Sequence, residues 1–176
     1  MKLRQRPRQP DALELAHASG NDALVQAVHA SRKLLHRKAL VAAVASATPL
    51  PGLDMAVDAA LLSRLLPQIN THFGLSDAQI AKLSPERRDK VQRTVNTLGG
   101  VLIGKLITKD VILRAARKLG LRLTAQQASK YVPIAGQAVS AALGYATLRY
   151  LGEQHLRDCV KVAHAAGLAL PPAADS

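Results

Sequence analysis

From Asn21 onward the apolar residues Leu24, Val25, Val28, Leu34 and Leu35 recur every three to four positions, and this periodicity commits the chain to helix. Asn21 offers a side-chain oxygen to cap the first turn. The pattern runs into the uncharged block 39–47. Pro49 and Pro51 must end it, because proline lacks a backbone N–H and bars helical geometry at the residue before it. A second helix is expected from Leu53 or Asp54 to Phe73, with Pro67 kinking or splitting it and Gly74 placed as its stop.

The same signals continue downstream. Ser76-Asp77-Ala78-Gln79 reads as the capping box of a short helix. Ser84-Pro85-Glu86 opens a longer one with a cap, a proline in the first turn and an acid at the positive end of the dipole. That helix carries Arg87, Arg88, Lys90 and Arg93, meets Gly99-Gly100 and resumes to Leu119. Thr124-Ala125-Gln126-Gln127 is a second capping box, and a last long helix follows Pro133 and Gly136 to about Ala166, before Gly167. Strand signals are weak throughout. The expected fold is therefore all-α, a multi-helix bundle with two apolar helical hairpins entered through proline turns. Residues 1–20 are expected as a basic, partly disordered arm, 21–167 as a single helical domain and 168–176 as a loose tail.

Pro51 and Pro133 also anchor an internal similarity at an offset of 82 residues. Ala56-Val57 matches Ala138-Val139, and Ala59-Ala60-Leu61 matches Ala141-Ala142-Leu143. Each copy is a proline-bearing turn that feeds an alanine-rich helix. In the second copy Gly136, Ser140 and Gly144 stand four apart on one face, a spacing that lets another helix, including one from a second copy of the chain, approach closely.

Charge separates the function classes. The formal net charge is +12, which favours acidic partners such as lipid headgroups, nucleic acid or acidic proteins. Eight Lys and Arg fall within 2–38 and eleven within 82–122, with only Arg64 between. The apolar hairpin is thus flanked by basic segments that would sit at the cytoplasmic face if it met a bilayer. Residues 131–148 hold no charge over 18 positions, near the lower limit for a span, but Gln137, Ser140, Gly144 and Thr147 dilute them. A buried bundle interior or a shallow hairpin suits these segments better. Nucleic acid is the alternative partner, through Arg87, Arg88, Lys90, Arg93, Arg114, Arg117 and Lys118 on phosphates. Three tyrosines, one phenylalanine and no tryptophan leave few rings for stacking bases.

No catalytic set is legible. Gly99-Gly100-Val101-Leu102-Ile103-Gly104-Lys105 approaches a phosphate-binding loop, but Leu106 stands where a magnesium-holding hydroxyl belongs, and helix precedes it where a strand should. A glycine-weakened packing helix explains it better. Asp54 and Asp58 share a helix face, Asp54 reading as first-turn charge after Pro51 and Asp58 as facing Arg64 or water. The six histidines show no metal-ligand spacing and read as surface residues, and Cys159 reads as an inert thiol. No enzyme activity, cofactor or metal is expected.

Two stretches carry a resemblance. Pro49-Leu50-Pro51-Gly52-Leu53-Asp54 resembles the P-x-P-x-x-D turn of a bacterial domain family of unknown function, to which inner-membrane proteins of the YcjF type belong. Lys130-Tyr131-Val132-Pro133-Ile134-Ala135-Gly136, followed by Gly144, Thr147 and Gly152, is similar to that family's second motif, and the likeness covers about residues 22–165. Similar helical segments stand beside the nucleotide domains of immunity-related GTPases. The resemblance implies an α-helical, membrane-associated accessory module on the cytoplasmic side of the inner membrane, peripheral or shallowly inserted. The GTPase it works with is expected on a separate polypeptide. A cytoplasmic location goes with the nucleic-acid alternative.

Overall fold

The computed structural model describes residues 9–46, 53–98 and 133–171. These form six helices: α1 (Ala12–Ala18), α2 (Asp22–Ser46), α3 (Leu53–His72), α4 (Asp77–Ala81), α5 (Pro85–Leu98) and α6 (Pro133–Ala166). The fold is all-α, as expected.

Helix termini follow local chemistry. Asn21 Oδ1 accepts from the N–H groups of Ala23 at 3.0 Å and Leu24 at 3.4 Å, capping α2. Ser76 and Gln79 close a reciprocal capping box on α4. α3 and α6 end alike, on a left-handed glycine. At Gly74 (φ 70°) the Leu75 N–H reaches back to the Asn70 carbonyl, and at Gly167 (φ 60°) the Leu168 N–H reaches the Ala163 carbonyl. Pro67 neither splits nor ends α3. It removes one hydrogen bond, to the Ser63 carbonyl, and lies exposed near the helix end, so the surrounding turns hold.

α2 is the central helix, packing most extensively on α6 and next on α3. Its inner stripe is Leu24, Ala27, Val28, Ser31, Leu35, Ala39 and Ala42. Facing it are Leu62, Leu65, Leu66 and Ile69 of α3, Phe73 just beyond it, and Leu148, Leu151, Leu156, Val160 and Ala163 of α6. At Gly152 α6 lies close against α2: a Cβ there would be 2.3 Å from Leu35 Cδ1, so any larger residue would force that buried leucine to shift. α5 adds Val91 and Val95, one turn apart, and packs on α6.

Both ends of the expected domain map shift. α1 lies inside the stretch expected as an arm, yet Ala12 and Ala16 are buried and the helix packs on α2 and α6. It is held by its own capping box between Asp11 and Glu14 and by Glu153, whose Oε1 accepts the Ala12 N–H at 3.0 Å. Leu168 is buried and Leu170 packs on the core, so the first residues of the expected tail belong to the helical body. The proline turn of 49–52, the glycine-rich stretch from Gly99 and the second capping box at Thr124 lie outside the described residues.

Candidate functional site

The basic residues of α5 are exposed. Val91 and Val95 turn inward, leaving Arg87, Arg88, Lys90 and Arg93 exposed. Arg88 is tied back, donating to the Ala81 carbonyl at 2.7 Å, and Arg93 Nε reaches the Asp89 carbonyl at 3.4 Å. Glu86 precedes Lys90 by one turn and Asp89 precedes Arg93 by one turn, so two carboxylates interrupt this basic face. Ser84 and the helix N-terminus hold the Glu86 carboxyl below its usual range, chiefly through its own backbone N–H. Arg114, Arg117 and Lys118 lie outside the described residues.

The helix-packing residues divide in the same way. Pro49, Pro51 and Gly52 lie outside the described residues. Asp54 is the second residue of α3, and Pro133 is the first of α6, where its missing N–H costs nothing. Gly136 and Ser140 lie in the first two turns of α6. Gly144 is buried one turn before Leu148, so this position is already taken up by packing within the chain.

Three arrangements escaped the sequence reading. Arg32 of α2 bridges Glu153 of α6, Nε to Oε2 at 3.1 Å, and approaches Asp11 at 3.4 Å. The Glu153 hydrogen bond is the main cause raising the Arg32 pKa. Deeper in, His155 Nε2 donates to Asn70 Oδ1 at 2.8 Å, with the Cys159 thiol 3.5 Å from both. The expectation of surface histidines fails here. His155 is fully buried, and desolvation lowers its pKa to about 4, an effect the Leu66 backbone opposes without reversing. Its Nδ1 is buried without a hydrogen-bond partner. His72 is also drawn inward, its Nδ1 2.8 Å from Ser31 Oγ.

A cysteine, a histidine and an asparagine in contact have the composition of a nucleophilic set, but burial raises the Cys159 thiol pKa and no substrate reaches a fully buried sulfur. The cluster pins α3 to α6. The third arrangement is a patch on the outer face of α2, where Leu40, Val41 and Val44 are 49%, 52% and 73% exposed. No helix among the described residues is long and apolar enough to cross a membrane.

Over 117 residues the sequence is 31% identical to interferon-inducible GTPase 5 of Bos taurus and 30% identical to the Rattus norvegicus protein of the same name. The match takes in 64% of this chain and 24% of each relative, so the chain spans about a quarter of the length of the curated relatives it matches. No family model matches the sequence, and no solved structure does.

Proposed function

We propose that this chain is a non-catalytic helical module that lies against an anionic membrane surface and works with a GTPase-domain protein. The observation that carries the reading is the similarity to interferon-inducible GTPase 5, which takes in most of this helical chain but only a quarter of that protein. That relation supports a partnership with a GTPase carried on a separate polypeptide. The membrane half is supported by the net charge of +12 and by the likeness of 49–54 and 130–136 to the motifs of YcjF-type inner-membrane proteins. Helix packing supplies the structural means, with Gly152 letting α2 and α6 approach closely.

The test combines flotation with capture. The purified chain should rise with vesicles containing anionic lipid at physiological salt, and a tagged chain should retain a GTPase whose retention changes between GTP-analogue and GDP. Full recovery in the unbound fraction, with no nucleotide-dependent partner, would defeat the proposal. Salt-steep binding to duplex DNA without vesicle binding would put the nucleic-acid reading in its place.

A further inference from the structure

The patch on α2 has cations from three helices near it. Arg37, Leu40, Val41 and Val44 are spaced three and four apart and share one exposed face of α2. Lys38 is half-buried beside them, Arg64 is exposed on α3 and Arg149 is half-buried on α6. Cross-links between the helices set their levels. Ser31 meets His72, Arg32 meets Glu153, and Leu35 faces Gly152, so α3 and α6 both run antiparallel to α2. Counting about 1.5 Å per residue from these contacts puts the four cations within roughly two helical turns of one another. None of the four forms an ion pair among the described residues, in contrast to Arg32, which is held by two carboxylates. Past this level α2 carries no charge through Ser46, and α6 carries none from Pro133 through Leu148.

We infer that this face of α2 docks on an anionic lipid bilayer, with Leu40, Val41 and Val44 entering the interface and Arg37, Lys38, Arg64 and Arg149 meeting lipid phosphates. The inference rests on the membrane half of the function proposed above and gives it a location. Charge complementarity selects the occupant: an unpaired cationic band beside exposed apolar side chains matches a surface whose phosphates lie above hydrocarbon.

Flotation of the full chain with vesicles of equal parts phosphatidylglycerol and phosphatidylcholine, against phosphatidylcholine alone, tests the location. The expected result is binding only to the anionic vesicles. Affinity should fall about fivefold for each cation removed in R37Q/R64Q, and at least as steeply in V41S/V44S, whose side chains are already mostly exposed and whose thermal melts should match the parent. R87Q/R93Q on α5 should bind as the parent does. If the parent binds but V41S/V44S binds equally well, or if R87Q/R93Q alone loses binding, this location is wrong and the membrane reading stands. If V41S/V44S instead turns a sedimenting dimer into a monomer without affecting flotation, the patch serves a second copy of the chain. A parent that binds no vesicle removes both.

Discussion

At the scale of single residues, His155 is the side chain whose behaviour the fold changes most. Buried and neutral, it binds a proton only near pH 4, whereas in the unfolded chain it does so around 6.5. As pH falls through that window the unfolded state takes up a proton that the folded state refuses, so stability drops with falling pH. His72, whose pKa is also lowered by burial, acts in the same direction. Between about pH 7 and about pH 5 the His155 contribution alone amounts to about 2 kcal/mol lost. Urea melts across this range should show the decline, and His155→Gln, which keeps a donor for Asn70, should flatten it even if it lowers stability overall. An unchanged slope in that variant would assign the pH dependence elsewhere. Nothing in the sequence around position 155 marks it as buried, because its partner Asn70 lies 85 residues away.

At the scale of elements, helix ends were legible and helix neighbours were not. Asn21, Ser76, Gly74 and Gly167 act on backbone groups within five residues, so each shows in the local sequence. α1 was missed although Asp11 and Glu14 stand at capping-box spacing, because seven residues rarely hold a helix without tertiary support. That support is Glu153, which accepts the Ala12 N–H and pairs with Arg32, itself near Asp11. Glu153→Ala removes the acceptor and strands Arg32 about a quarter exposed, so it should cost about 1–2 kcal/mol. The loss should be local. Hydrogen exchange at the amides of α1 should accelerate while those at the α3–α6 core around Ile69 and Leu156 keep their protection. Unaltered exchange in α1 would mean that Ala12 and Ala16 hold the helix by packing alone.

At the scale of the whole molecule, the all-α class was readable because apolar periodicity and capping chemistry agree along the chain, whereas the surface proposed to dock on a bilayer was not. Cations clustered in sequence on α5 proved to be interrupted by Glu86 and Asp89. The unpaired band is drawn from three helices and assembles only when α2, α3 and α6 pack. That distribution makes a prediction of opposite signs on one axis. A chain of net charge +12 repels itself, most of all where unpaired cations converge, so added salt should stabilise the folded state by screening. A gain of about 1 kcal/mol would raise Tm by about 2–4 °C for a domain of this size. The same salt should weaken attachment to anionic vesicles, because there the screened interaction is attractive. Thermal melts and flotation run over one salt series should therefore move apart, stability rising as binding falls. A Tm that fell with salt would show that ion pairs such as Arg32 with Glu153 outweigh the repulsion, and the cationic band would then be too weak a charge to direct the chain to a membrane.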